Sequence, residues 1–283
     1  MKQLIFLVCI GLISTIVEAK EEEYHTHEGK SNIKLNYEIL DFTHSLKKEE
    51  GKRYGIEIDH ENRYHHYQLY YEKTNTDTTK IVPKDLNVKK YTMKYQYKLH
   101  ADERVSFAYI HIDDNLMKET NGGDIYGVGY LKSGFGLTQY ISDYPHFNVY
   151  QTDMKYTLKS NGIKWTALGK YIHLSNKNSN NFSKKAKTDY FTAGLKVHTH
   201  YRGYHLGAGV FVGKRIFAVM KEGFRVQHHA MEFKNSYMCG VGHEILEGVV
   251  AHIRYTHHEA KEVPMNQDNV KVDAFTFDMV YSF

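Results

Sequence analysis

Residues 271–283 read KVDAFTFDMVYSF. From Phe275 onward every second side chain is large and apolar: Phe275, Phe277, Met279, Tyr281 and Phe283. Thr276, Asp278, Val280 and Ser282 fill the alternate positions. An extended chain points successive side chains to opposite faces, so this is a strand with one greasy face and one small or polar face. In water such a face needs a core to cover it. In a bilayer it turns to lipid, with aromatic rings near the interface.

The same alternation runs back through the chain. It is clearest where Tyr91, Met93, Tyr95, Tyr97 and Leu99 alternate with Thr92, Lys94, Gln96 and Lys98. Fourteen such segments can be counted, with twelve or sixteen also compatible. Asn161-Gly162 is a strong two-residue hairpin signal, because both residues must take positive φ. Closing that turn pairs Leu158 with Trp165 and Tyr156 with Ala167. Closing at Arg202-Gly203 pairs Tyr201 with Tyr204 and Thr199 with Leu206. Paired residues share a face, and the faces assigned from alternation agree at both turns. Connections alternate short and long; residues 44–52, 74–86, 175–187 and 259–270 are expected as loops. The reading is all-β: an antiparallel transmembrane β-barrel of about fourteen strands, with both termini on the short-turn, periplasmic side.

The closing stretch resembles the C-terminal strand of bacterial outer-membrane β-barrels. That resemblance implies a strand that closes the barrel and is read by the barrel assembly machinery. Size and strand count are similar to those of monomeric 14-stranded porins, but no motif carries individual residues over.

Residues 1–19 have the character of a signal peptide: Lys2, an apolar run from Leu4 to Val17, and small residues at Val17 and Ala19. Residues 20–31 form a charged lead-in, and 32–283 the barrel. Cys9 falls in the leader, which leaves Cys239 as a lone small hydrophobe. Three prolines argue for one domain, and 24 tyrosines, 14 phenylalanines and 21 glycines favour a barrel. Mean hydropathy of −0.57 fits a wall of which only half faces lipid. A net charge of +4 is too small to imply nucleic acid as a partner.

Alternation turns many charges inward. Lys94, Lys98, Asp153, Lys155, Lys159, Lys164, Lys170, Lys196, Arg202, Arg215 and Arg254 are the expected pore-lining set. Charges in such number need water or ion pairs, so the lumen is expected to be wet or laced with ion pairs. The basic excess suggests a channel for small polar or anionic solutes. The alternatives are a surface barrel with a structural or partner-binding role, through its loops or with its lumen plugged, and a barrel enzyme. His198, His200 and His205 also turn inward, with His200 opposite His205. They suit a transition metal, or serve as neutral hydrogen-bonding groups at the mouth, the plainer reading. No nucleophile elbow, zinc spacing or phosphate loop occurs, and His173-Leu174-Ser175 lacks an acid, so neither catalysis nor a cofactor is expected. Lys47, Lys48, Lys52, Lys184, Lys185 and Lys187 are expected in external loops, against lipopolysaccharide phosphates.

Overall fold

A computed structural model describes residues 29–117, 119–177 and 186–283. The leader, most of the charged lead-in, and Lys184 and Lys185 of the polar loop lie outside the described residues. Among these, fourteen strands close into an antiparallel barrel. They are β1 (Lys30–Thr43), β2 (Lys48–Glu61), β3 (His65–Thr78), β4 (Leu86–His100), β5 (Glu103–Asp114), β6 (Gly123–Lys132), β7 (Phe135–Asp143), β8 (Phe147–Ser160), β9 (Ile163–Asn176), β10 (Asp189–Tyr201), β11 (Tyr204–Gly213), β14 (Met231–Leu246), β15 (Val249–Glu262) and β16 (Gln267–Ser282). Two short strands, β12 (Val219–Met220) and β13 (Arg225–Val226), pair only with each other inside the β11–β14 connection. Strand β16 closes the ring against β1, with Tyr37 opposite Phe277 and Ile39 opposite Phe275. No helix among the described residues is long and apolar enough to cross a membrane.

The hairpin registers follow the turn chemistry. Leu158 pairs with Trp165 and Tyr156 with Ala167; Tyr201 pairs with Tyr204 and Thr199 with Leu206. Asn161 and Gly162 take φ of 50° and 75°. These values match the turn whose twist suits two right-handed strands. Lys159 and Lys164 stand directly opposite each other.

Strands run further at the long-loop end than alternation indicates. Strand β2 begins at Lys48, β3 continues to Thr78, β15 reaches Glu262 and β16 starts at Gln267. The backbone ladder continues after the apolar face has ended, so the hydrophobic period misses these stretches. Lys48 is a correction: it is 7% exposed, with its ammonium 5.8 Å from the Phe42 ring centre, and is not an external-loop cation.

The outer face carries the apolar band. Phe275, Phe277, Met279, Tyr281 and Phe283 are exposed, while Ala274, Thr276 and Asp278 on the opposite parity are buried. On β10, Phe191 and Tyr201 flank Ala193, Leu195 and Val197; on β9, Trp165 and Tyr171 flank Ala167 and Gly169. At about 3.3 Å per residue and a tilt near 40°, Phe191 and Tyr201 are about 25 Å apart along the barrel axis. That separation matches the hydrocarbon band between two aromatic girdles.

A polar device recurs at the long-loop girdle. Tyr109 and His111 both bond Asp124 Oδ1, each at 2.8 Å. Tyr171 and His173 share Asp189 Oδ1 at 2.6 and 2.9 Å, and Tyr255 and His257 share Asp273 Oδ1 at 2.5 and 2.7 Å. In each case a Tyr-x-His segment lies beside an Asp paired with the histidine on the next strand. The carboxylate satisfies both polar ring groups where the wall leaves the apolar band.

Candidate functional site

The β11–β14 connection, residues 214–230, does not extend outward. It turns into the lumen and packs against the wall. Its anchor is Arg215, which is 0% exposed and bridges to Phe233 through both backbone groups. The Arg215 guanidinium donates to Gln227 Oε1 at 3.2 Å, to the Lys234 carbonyl at 3.2 Å and to Ser236 Oγ at 2.5 Å. It also lies 5.6 Å from the ring centres of both Phe211 and Phe233. A buried guanidinium needs that many partners to offset its lost hydration.

Three sides of the wall hold the segment beyond Arg215. On β8, Gln151 donates to the Val219 carbonyl at 2.7 Å and accepts from the Val219 N–H at 2.8 Å. Lys170 on β9 donates to the same carbonyl at 3.0 Å. On β4, Lys90 donates to the Val226 carbonyl at 3.1 Å. On β1, Glu38 accepts from Arg225, 2.8 Å away.

Glu38 belongs to a buried ionic network. Arg53 pairs with Glu38 and lies 3.3 Å from Glu72, which accepts from Lys90 at 2.6 Å. Thr276 donates to Glu38 at 2.8 Å and Tyr70 to Glu72 at 3.1 Å. Two carboxylates thus meet three cations, Arg53, Lys90 and Arg225. The strand registers assemble this, with Arg53 opposite Glu38 and Lys90 opposite Glu72.

The other part of the long-loop half is apolar. Ile110, Ile112, Ile125, Phe147, Val149, Ile172 and Leu174 point inward and pack on Ile216, Phe217, Ala218 and Val219. The rings of Phe147 and Phe217 are 4.9 Å apart. Of the two expected states, wet or laced with ion pairs, the long-loop half shows the second, together with an apolar core that alternation did not indicate, closed by residues 214–230. The ion-pair network accounts for the buried charge there.

The short-turn half stays hollow, with a cavity of about 700 Å³. Lys94, Asp153, Lys155, Lys164, Lys170, Lys196 and Arg254 from the expected set line it, joined by Lys34, Arg104, Lys221, Glu222 and Asp278. Nine basic side chains there face three carboxylates. Glu222, at the tip of the inward segment, pairs with Lys155 and lies 3.6 Å from Lys94. Burial would raise its carboxyl, and the ammonium groups of Lys155 and Lys94 bring it down to about 2. Asp153 pairs with Lys170, and Asp278 sits 3.9 Å from Lys34 and 3.7 Å from Arg254. Among the described residues Lys164, Lys196 and Lys221 have no carboxylate in ion-pair contact.

The remaining expected residues lie elsewhere. Lys98 pairs with Glu61, and Lys159 is exposed beside the Asn161-Gly162 turn. Arg202 is itself a turn residue, φ 49°, its guanidinium over Tyr201. Arg215 is the buried anchor already described. Sequence reasoning missed Glu38, Arg53, Glu72, Lys90 and Arg225. A signal existed for the first four, since Glu38 with Arg53 and Glu72 with Lys90 fall on the inward parity of adjacent strands.

No family model matches the chain, and no curated protein matches it. Solved barrels do resemble it. Against OccK1 (OpdK) of Pseudomonas aeruginosa the TM-score is 0.43 at 6% identity, covering 92% of this chain and 100% of that one. Against the outer membrane protein Omp33 of Acinetobacter baumannii it is 0.48 at 7% identity, covering 90% and 99%. Against OccK7 (OpdD) of Pseudomonas aeruginosa it is 0.43 at 7% identity, covering 90% and 99%.

Proposed function

We propose that this chain is an outer-membrane channel for small anionic solutes, closed in this conformation by residues 214–230. The observation that carries the reading is the short-turn cavity, whose basic side chains outnumber its acidic ones and lead directly to the inward segment. Ammonium groups without a carboxylate partner raise the local anion concentration in a narrow aqueous space. The long-loop end faces outward, both termini are periplasmic, and lipopolysaccharide and the assembly machinery are the surrounding partners.

The packed apolar half favours a second reading, a non-conducting barrel with a structural or partner-binding role. One experiment separates the two. The full chain and a variant with residues 216–228 replaced by a short Gly-Ser link are compared in planar bilayers under a salt gradient. The channel reading expects low or flickering conductance from the full chain and a steady, anion-selective conductance from the variant. A variant that folds, by heat-modifiable mobility, yet carries no current would leave the structural reading standing.

A further inference from the structure

The short-turn mouth of the cavity carries a cluster of imidazoles that the channel reading does not use. His198 and His200 are two apart on β10 and share a face; His200 is directly opposite His205 on β11. The ring centres of His200 and His205 are 4.2 Å apart, those of His198 and His200 4.8 Å. One ring nitrogen from each of the three falls within 4.8 Å of the others. Tetrahedral binding at 2.0–2.1 Å from a single ion needs nitrogens about 3.3 Å apart. Imidazoles on a fixed ladder close that gap by small rotations about χ1 and χ2.

A fourth imidazole is steered toward the cluster by a glycine. His205, Gly242 and His252 occupy one row across β11, β14 and β15. A Cβ at Gly242 would lie 2.1 Å from His252 Cδ2, so only glycine leaves the ring room to lean across. The ring centres of His205 and His252 are 5.6 Å apart as a result. Lys164, opposite His198, is an adverse neighbour, a cation beside a cation site, and Lys34 and Arg254 lie near His252. His243 takes no part: it stacks on Tyr204 and reaches the Gly203 carbonyl.

We propose that His198, His200 and His205 bind one borderline divalent transition ion, of the Zn²⁺, Cu²⁺ or Ni²⁺ type, at the short-turn mouth, with His252 as the adjacent fourth imidazole. Neutral imidazole suits these ions, and three such ligands leave a position open to water or a solute anion. The proposal stands apart from conduction, because binding is measured in detergent without current.

The test uses the full chain folded in detergent, with His25→Ala and His27→Ala introduced so that those two histidines contribute nothing. Cu²⁺ is titrated and followed by electron paramagnetic resonance, and Zn²⁺ by calorimetry. One ion per chain is expected, with nitrogen hyperfine structure in the copper spectrum and reversal by a chelator. His200→Ala and His205→Ala should each weaken binding at least about tenfold. His243→Ala should leave it unchanged, and Lys164→Ala should tighten it. If an alanine variant fails to fold, His200→Gln keeps a polar side chain of similar size and serves instead. No saturable binding, or affinity unmoved by the His200 and His205 substitutions, overturns the proposal.

Discussion

Arg225 reaches from the inward segment to Glu38 on the barrel wall, nitrogen to oxygen 2.8 Å. That contact ties a connection between β11 and β14 to the strand that closes the barrel against β16. It lies beside Arg53, Glu72 and Lys90, so the docked position is fixed by buried charge as well as by apolar packing.

Removing Arg225 leaves Glu38 with one cation fewer in a buried site. Breaking a buried pair from one side costs on the order of 3 kcal/mol, chiefly by leaving the other charge uncompensated. Arg225→Ala is expected to release residues 214–230 part of the time. In a Cys239→Ala background, Ala218→Cys should then react with a small thiol reagent at least tenfold faster than with Arg225 intact. Equal rates would show that the remaining polar and apolar contacts hold the segment without Arg225.

The docked state should also weaken in acid. His228 and His229 are buried on this segment, and neither His229 nitrogen nor His228 Nε2 has a hydrogen-bond partner among the described residues. Burial holds both imidazoles well below 6.5, with Lys90, Arg53 and Lys48 adding to it at both and Glu72 partly opposing at His228. The released segment therefore binds protons that the docked one refuses. Docking is unaffected above about pH 6.5 and loses up to about 1.4 kcal/mol per pH unit per histidine below it. Thiol access at Ala218→Cys, corrected for the pH dependence of the reagent, should rise from pH 7 toward pH 5. His228→Gln with His229→Gln should flatten the response.

The wall was legible from the chain and its filling was not. Residues 91–99 alternate cleanly because one face meets lipid and the other a polar lumen. Residues 107–112, FAYIHI, are apolar on both parities, and alternation alone marks Phe107 and Tyr109 as outward. Ile110 and Ile112 then become core only because Phe217 and Val219 arrive from another part of the chain. Residues 214–230 have no period of their own, so their inward course depends on contacts from distant strands. Arg215 was assigned to the lumen by parity, yet its role is set by Gln227, Lys234 and Ser236.

The face assignment can be read from adjacent residues on one strand. Leu195 lies midway between Phe191 and Tyr201, facing out, and Lys196 lines the cavity. Leu195→Arg puts a charge near the bilayer midplane at a cost of about 2–4 kcal/mol. Lys196→Arg keeps its charge in the aqueous cavity and should be close to neutral. Urea unfolding from lipid vesicles measures both. Similar costs for the two would contradict the assigned faces.

Selectivity should follow the lysines of the short-turn cavity that lack acidic partners. Lys164 and Lys196 both line it, while Lys155 is already paired with Glu222 at the tip of the inward segment. Lys155 changes its surroundings when the segment is removed, whereas Lys164 and Lys196 have no carboxylate in ion-pair contact among the described residues to begin with, so these two are the cleaner probes. Lys164→Glu places a carboxylate directly opposite Lys159, where opposite charges across a strand pair are mildly favourable. Folding should therefore survive in Lys164→Glu combined with Lys196→Glu. In the conducting variant without residues 216–228, the double change should move the reversal potential toward cations. Because screening lengths fall from about 10 Å at 0.1 M to about 3 Å at 1 M, the shift should shrink as salt rises. A folded, conducting double variant whose reversal potential does not move would place the ion path away from Lys164 and Lys196.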